Sequence, residues 1–478
     1  MEISHTKILL SNSRNLSVAI VIFFVFAGMA RRPMREVEKK VTEQSGVTVQ
    51  NLSRNPAKAP MRAPEDLAAE QLSLDAAIKI ALTNNSEIQA VFQDIGISRA
   101  DVWQATLFRN PTFEGFVRFP NHDTVGEGDE TRSAQNNVEL SVSQDFIDVL
   151  LMPFKRRIAT AEYKAVKLRV ADVILSFILE VKRTYYAAQA AEQTRELQKT
   201  VLEAAEAAVE LGERQLKAGN IKELDFSIEH AAYEETKLEY EKIRAEELLA
   251  REPLNQLMGL AGSDAAVWKI NSSLPDLPET DPKLEDLETL ALSQRLDLAA
   301  IREQTKALKR RLSATRFGII PEAEVGINTE KEVDGGRVTG PTWNVEVPVW
   351  DQQLAQGSKV KAQWRQSRFR EASYEVKVRS EVRQAMINLE KARTAAEAYR
   401  DKIIPDREKI VALYLKDYNY MLSGVYQLLN AKQAEIHARL EYIESIKDYW
   451  TSLAALERAV GGKLEKTMDH SQHQGGQS

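Results

Sequence analysis

The segment 137–146 reads Asn-Val-Glu-Leu-Ser-Val-Ser-Gln-Asp-Phe, and a similar pattern, Asn-Val-Glu-Val-Pro-Val, returns at 344–349. In both segments apolar and polar side chains alternate, which is typical of a β-strand with one apolar and one polar face. Two further segments alternate in the same way, at 112–119 and 322–328. The sequence therefore predicts four short strands in two pairs, the last of them at about 342–350.

The strand pairs belong to an internal repeat. Leu-Asn-Gln-Leu-Met-Gly at 254–259 resembles Leu-Glu-Arg-Ala-Val-Gly at 456–461. Similarity of this kind, found again further along a chain, indicates a duplicated unit. We predict two copies, at 72–285 and 286–462, each running helix, strand, loop, strand, long helix, turn, long helix.

Long helices dominate the rest of each copy. Ala190, Leu197, Ala204 and Leu211 recur at the seven-residue spacing of a coiled-coil seam. The predicted long helices lie at about 155–216, 223–258, 355–420 and 425–460. A soluble coiled-coil scaffold would explain these helices equally well, so the strands must decide between the two classes of protein.

The chain begins with a pattern typical of a secretory signal peptide, which we place at 1–30. Lys7 and Arg14 precede an apolar run at 16–26. The alternative is a membrane anchor, but the run is shorter than the roughly 20 apolar residues that a spanning helix needs. We expect an extended arm at 31–71 and a disordered tail at 463–478.

Composition excludes several classes of function. The chain has 478 residues, a formal net charge of -6 and no cysteine. Because charges of both signs are interspersed, nucleic acid is not an expected partner. We find no nucleophile motif, phosphate-binding glycine loop or paired metal ligands, so the sequence predicts neither an enzyme nor a cofactor. His470 and His473 are weak metal candidates, since no third or fourth ligand is near.

Four strands are too few to close a membrane barrel. The bilayer offers no water to unpaired strand edges, and the smallest barrels need about eight strands. Strands that cross a membrane here must therefore be pooled with those of other copies; a small soluble sheet is the alternative. The side chains expected to face lipid are Phe113, Val117, Phe119, Val138, Leu140, Trp343, Val345 and Val347. Those expected to line the barrel lumen are Glu114, Arg118, Glu139, Glu324 and Glu346.

Several segments resemble a known family. These are Leu-Ser-Leu-Asp-Ala-Ala-Ile at 72–78, Ala-Thr-Leu-Phe-Arg-Asn-Pro at 105–111, the turn at 218–220 and Leu-Leu-Asn-Ala at 428–431. In order and spacing they resemble the TolC-like outer-membrane efflux proteins, over nearly all of 72–462. The resemblance implies a mainly α-helical fold with a small membrane β-barrel. It implies a homotrimer that pools its strands into a barrel of about twelve, within the known range of such barrels. Long antiparallel coiled-coil helices would then form a periplasmic tunnel.

The resemblance also implies a function and a location. The chain would be a passive duct in the outer membrane of a Gram-negative bacterium, in contact with outer-membrane lipid and extending into the periplasm. A periplasmic adaptor (membrane fusion) protein would open it, and an inner-membrane transporter, for example a resistance-nodulation-division pump, would supply the energy. The implied substrates are metal cations or small toxic compounds. A type I protein secretion duct and a periplasmic coiled-coil adaptor or scaffold are the alternatives. Members are often lipidated on a cysteine that follows the signal, and Met29 stands at that place here.

The candidate site residues of such a duct lie at its helix turns. We expect Gly219 and Asn220, and then Ser423 and Gly424, to reverse the chain, with the glycines at positive φ, and to contact the adaptor. The resemblance implies a gate just after the second turn, near Gln427 and Asn430, which are uncharged here. Asp225 after the first turn is the acidic gate candidate. Pro405 should also kink its helix, because proline removes a backbone donor.

Overall fold

The computed structural model describes residues 31–47, 71–121, 124–125, 132–133, 135–279, 286–315, 322–334, 336–346, 349, 354–420 and 422–464. The predicted signal peptide, Met29, Val347, His470 and His473 lie outside these residues. The chain divides into two compact units. Unit 1 comprises 1–93, 169–296 and 375–478, and unit 2 comprises 94–168 and 297–374.

The elements of the first half are α1 (Arg31–Ser45), β1 (Gln71–Leu72), α2 (Leu74–Asn84), α3 (Ser86–Gln104), β2 (Thr112–Arg118), β3 (Thr124–Val125), β4 (Arg132–Ser133), β5 (Asn137–Asp145), α4 (Ile147–Lys217), α5 (Glu223–Met258), α6 (Asp264–Val267) and β6 (Lys269–Ile270). Those of the second half are α7 (Leu287–Gln294), α8 (Leu296–Ala314), β7 (Glu322–Lys331), β8 (Arg337–Glu346), α9 (Leu354–Ala398), a π-helix (Tyr399–Ile403), α10 (Ile404–Asn419) and α11 (Val425–Val460). Two short helices, two strands and two long helical arms thus occur in this order in each half.

The four longer strands form one antiparallel sheet in unit 2, in the order β2-β5-β7-β8. Phe113 lies opposite Val142, Val142 opposite Ile327, and Val325 opposite Trp343. Because directly opposed residues point to the same face, the sheet has a continuous apolar face. The last strand begins at Arg337, earlier than the predicted start at about 342.

The prediction of an extended arm at 31–71 was wrong for its first part, because Arg31–Ser45 forms the helix α1. Val37 and Val41, four residues apart, are buried on its inner face. The Gln44 amide donates to the Gln294 carbonyl at 3.1 Å, and the Lys463 backbone N–H donates to the Gln44 carbonyl at 2.7 Å. The helix is too short for a sustained period in the sequence, and contacts with distant segments stabilise it.

Large side chains fill the core of unit 1. Trp268 and Tyr449 are fully buried there. The Trp268 indole donates to Asn255 at 2.7 Å, and the Arg251 guanidinium lies 4.0 Å from the centre of the indole ring. These contacts hold the segment after α5 against that helix. The predicted coiled-coil seam packs only in part, since Ala190 is buried whereas Leu211 is exposed in the single chain.

The second long helical arm is interrupted where the sequence predicts a kink. The π-helix at Tyr399–Ile403 ends two residues before Pro405, and the Ile404 N–H donates to the Tyr399 carbonyl, five residues back. Pro405 has no N–H to continue the α-helical ladder, and a π-turn accommodates that lost donor.

Candidate functional site

The polar face of the sheet carries a hydrogen-bonded network. The Arg118 guanidinium lies 3.0 Å from the Glu139 carboxylate and 4.0 Å from that of Glu330. Asn328 donates to Glu139 at 2.9 Å, and Asn137 donates to Glu330 at 2.6 Å. Arg118 therefore offsets part of the negative charge that the sequence predicts on this face.

The other predicted lumen residues lie on the same polar face but outside this network. Glu324 is half-buried and accepts a hydrogen bond from Ser143 at 3.3 Å. Glu114 and Glu346 are exposed. Register places Glu114 opposite Ser141, and Glu324 opposite Asn344. The five predicted lumen residues thus share one face, as the alternation requires.

The apolar face of the sheet is largely uncovered in the single chain. Trp343 is 79% exposed and Phe113 is 74% exposed. Exposed apolar residues also include Val117, Phe119, Leu140, Val142, Val325, Ile327 and Val345. A continuous exposed apolar surface of this kind marks a site that another apolar phase or protein covers.

Both edges of the sheet are unpaired among the described residues. β2 has only β5 as a neighbour, and β8 has only β7. Each edge presents a row of backbone N–H and C=O groups without strand partners.

The first helix turn has the predicted glycine geometry. Gly219 has φ 72°, and a Cβ at this position would meet nothing within 4 Å. The Gly219 N–H donates to Leu216 at 2.9 Å, and the Asn220 N–H donates to Gln215 at 2.9 Å. This left-handed residue ends α4 and satisfies its last carbonyls.

The second helix turn differs from the prediction. Gly424 has φ -84° and ψ 162°, so it is extended and stands at the N-cap of α11. No positive φ is required because the turn is spread over more residues: the Leu422 N–H donates to the Asp417 carbonyl at 2.8 Å, and Gly424 then enters α11. Ser423 keeps its Oγ buried without a hydrogen bond within the described part of the chain.

The three gate candidates lie in the first turns of α5 and α11. Asp225 is half-buried, whereas Gln427 and Asn430 are exposed. Across the described residues no hydrogen bond or ion pair joins Asp225 to either of the other two. In this part of α5 burial, and then the charge of Asp225, raise the pKa of the Glu229 carboxyl above its usual value.

Sequence reasoning missed several members of the polar network, namely Glu330, Asn137 and Asn328. For Glu330 a signal was present, because the alternation that begins at Glu322 continues to Glu330 if the strand is extended by one more pair of residues. The predicted end at residue 328 hid it.

The described parts of the chain contain neither a metal-binding cluster nor a membrane-spanning helix. No group of three or more His, Cys, Asp or Glu side chains there is arranged to hold a metal ion. None of the described helices combines the length and the apolar character that a membrane-crossing helix needs.

The family model named outer membrane efflux protein matches residues 77–260, from α2 to the end of α5. Within these residues the chain is similar to this outer-membrane efflux family. The match agrees with the predicted resemblance to outer-membrane efflux proteins.

Individual proteins are similar to this chain over most of its length. The cobalt-zinc-cadmium resistance protein CzcC of Cupriavidus metallidurans is 20% identical over 407 residues, which cover 82% of this chain and 91% of that protein. The solved outer membrane channel CmeC of Campylobacter jejuni has a TM-score of 0.68 at 17% identity, covering 88% of this chain and 96% of its own. Solved CusC has a TM-score of 0.66 at 16% identity, covering 86% and 99%.

Proposed function

We propose that the chain is the trimeric outer-membrane duct of a tripartite efflux system that exports metal cations. The observation that carries the proposal is the four-stranded sheet, which combines an exposed apolar face, an acidic polar face and two unpaired edges.

Closure of the sheet requires other copies of the chain. A bilayer cannot satisfy the backbone groups of β2 and β8 at the two edges, and four strands cannot close on themselves. Three copies, the number that the family resemblance implies, supply about twelve strands, which exceeds the roughly eight of the smallest barrels. In this assembly the edge β8 of one copy pairs with β2 of the next.

The two faces then have distinct roles. Phe113, Trp343 and their neighbours contact lipid, which removes their apolar surface from water. The opposite face lines an aqueous lumen, where its carboxylates remain hydrated and the Arg118 network holds the strands in register.

We assign the helix turns to partner contact and gating. The turns at Gly219 and Gly424 contact a periplasmic adaptor, and Asp225, Gln427 and Asn430 narrow the entrance. The duct itself is passive, and an inner-membrane transporter supplies the energy.

Metal cations are favoured as substrate by two observations. The relative CzcC is named for cobalt, zinc and cadmium resistance. The polar face of the described strands carries Glu114, Glu139, Asp145, Glu324, Glu330 and Glu346, and the cations paired with them are Arg118 on the same face and Arg109, which binds Asp145. Carboxylate-lined pores favour cations, so the lumen stays cation-selective despite the Arg118 ion pair.

Assembly is tested by expressing the full chain, extracting outer membranes in mild detergent and measuring particle mass and shape by light scattering and electron microscopy. The expected particle is a trimer with a detergent belt at one end. A monomer or dimer that needs no detergent would contradict the duct and favour the soluble scaffold.

Selectivity is tested in planar bilayers under a salt gradient. Glu114→Gln with Glu346→Gln should move the reversal potential toward zero, which reports a weaker preference for cations. The reason is that both carboxylates are exposed on the polar face. The matched control is Glu203→Gln with Glu206→Gln on α4, which removes the same charge away from the sheet. Equal shifts in the two variants would contradict the assignment of the polar face to the lumen.

A further inference from the structure

The helical part of unit 2 contains three segments that are basic without any acidic residue. They are 149–161, with Lys155, Arg156 and Arg157; 304–315, with Lys306, Lys309, Arg310 and Arg311; and 354–370, with Lys359, Lys361, Arg365, Arg368 and Arg370. The whole chain has a net charge of -6, so this concentration of positive charge is a local feature.

Contacts between the helices place the three segments at the same height along the helix axes. Arg310 donates to the Arg157 carbonyl at 3.1 Å, which places α8 beside α4. The hydroxyls of Thr305 and Ser367 lie 2.7 Å apart, which places α8 beside α9. Because neighbouring helices here run antiparallel, Lys309 then lies level with about residue 363 of α9.

We call Arg156, Arg157, Lys309, Arg310, Lys361, Arg365 and Arg368 the basic band. All seven are exposed, and none of them forms a salt bridge among the residues that the structure describes. The acidic groups nearby are engaged elsewhere: Glu303 with Lys164 at 3.1 Å and Lys306 at 2.9 Å, and Glu371 with Arg302 at 3.9 Å. Glu162 lies near Arg311, which is outside the band. The band therefore carries uncompensated positive charge.

Exposed apolar side chains lie on the same helix faces, nearer to the strands. Val149 and Leu150 precede Arg156 and Arg157 by seven residues in α4, and Leu354 precedes Lys361 by seven residues in α9. Seven residues are two helical turns, so the paired residues share a face and are separated by about 10 Å along the axis. Val149, Leu150 and Leu354 are 41%, 65% and 70% exposed.

This order of apolar and then basic side chains matches the profile of a membrane interface. The polar headgroup layer is roughly 5–8 Å thick on each side of the hydrocarbon core. Arg and Lys place their stems on apolar surface and their charged ends at the level of phosphate groups. We propose that the basic band binds the phosphates of anionic phospholipids in the inner leaflet of the outer membrane, an inference that rests on the proposed barrel.

The test uses the full chain reconstituted into vesicles of phosphatidylethanolamine with a minor fraction of phosphatidylglycerol. The protein is re-extracted in mild detergent, and the lipids that remain bound are quantified by mass spectrometry. Wild type should retain phosphatidylglycerol in excess of its fraction in the vesicles. Removing four charges with Arg156→Gln, Arg157→Gln, Lys361→Gln and Arg365→Gln should reduce that enrichment on the order of tenfold.

The matched control removes four exposed basic residues from unit 1, with Lys222→Gln, Arg407→Gln, Lys409→Gln and Lys416→Gln. It should keep the wild-type enrichment. Helical circular dichroism confirms that both variants are folded, which is expected because every substituted side chain is exposed.

The outcomes separate this inference from the proposed function. A wild-type chain that resists alkaline extraction from the vesicles but shows no enrichment, or a four-residue variant that keeps it, overturns the lipid site alone. A chain that does not insert into vesicles at all overturns both. Binding to purified peptidoglycan that only the band variant loses, without lipid enrichment, would assign the band to the cell wall and overturn the lipid proposal.

Discussion

The two halves of the chain build the same junction with different residues. Asn85 separates α2 from α3, and Arg295 separates α7 from α8 at the corresponding place. Against each junction packs the end of a long helix, closed by a left-handed glycine: Gly259 with φ 65° in one half and Gly461 with φ 92° in the other. The glycine is common to both halves, whereas its polar neighbour is not.

In the first half the junction is held by a neutral amide. The Asn85 Oδ1 accepts from the backbone N–H groups of Glu87 at 3.0 Å and Ile88 at 3.1 Å, which caps α3. Its Nδ2 donates to the Leu257 carbonyl at 3.1 Å, which satisfies the end of α5. One small side chain thus serves two helix ends.

In the second half a buried cation replaces that amide. The Arg295 guanidinium donates to the Ala459 carbonyl at 3.4 Å and forms an ion pair with Glu381 of α9. Its side chain is 4% exposed. Backbone geometry demands glycine at this place in both halves, whereas an amide and a guanidinium can each satisfy the carbonyls at the helix end.

The largest expected effect follows from changing the shared glycine. A Cβ at Gly461 would lie 3.0 Å from the Arg295 backbone N, and one at Gly259 would lie 3.1 Å from the Asn84 carbonyl oxygen. Left-handed strain and crowding together should destabilise Gly461→Ala and Gly259→Ala by about 2–4 kcal/mol each. The check is the midpoint of thermal loss of helical circular dichroism at a fixed scan rate.

The control for that prediction is Gly96→Ala in α3, where an added Cβ meets nothing within 4 Å. Since alanine is the better helix former, this variant should be slightly more stable than wild type. If Gly461→Ala melted like Gly96→Ala, the glycine would not be the common requirement of the two junctions.

The next effect is that of removing the buried cation. Arg295→Met should cost about 3 kcal/mol, because it leaves the Ala459 carbonyl without this donor and leaves the partly exposed Glu381 with only its ion pair to Lys377. Adding Glu381→Gln should recover part of the loss, which a double-mutant cycle in thermal melts would measure. Arg379→Met, which removes an exposed ion pair with Glu288, is the matched control and should cost far less. A similar loss of stability in Arg295→Met and Arg379→Met would mean that the buried ion pair contributes no more than the exposed one.

A smaller effect should come from the amide of the first half. Asn85→Ala removes the cap of α3 and the donor to α5, and we expect a loss of about 1–2 kcal/mol. Asn85→Asp keeps the acceptor for the Glu87 and Ile88 N–H groups but loses the donor to Leu257. Its thermal midpoint should therefore fall between those of wild type and Asn85→Ala. Equal midpoints for the two variants would mean that the α5 contact alone matters.

The smallest difference concerns the two helix turns. Gly219→Ala should cost about 1 kcal/mol through its positive φ alone, because an added Cβ has open space. Gly424→Ala, at an extended N-cap, should cost less than half of that, because its φ is negative. Comparable losses in thermal melts would indicate that both turns need the left-handed conformation.

The sequence predicted the two helix-end junctions only in outline. The similarity of 254–259 to 456–461 marks both helix ends and contains both glycines. It does not indicate that Asn85 and Arg295 are the residues that meet those ends, because both lie far away along the chain and they differ in side-chain type and charge. The same limit applies at Glu330, whose partners Asn137 and Arg118 belong to other strands.

By itself, the sequence determined the duplicated order of elements, the two faces of each strand and the left-handed turn at Gly219, because helical and strand periods and glycine conformation are local properties. Only the tertiary structure decided the helix at Arg31–Ser45, the extended Gly424, the pairing of Arg118 with Glu139 and the meeting of the basic segments of three helices. Those features depend on register and packing between segments that are distant along the chain. No local pattern encodes that register.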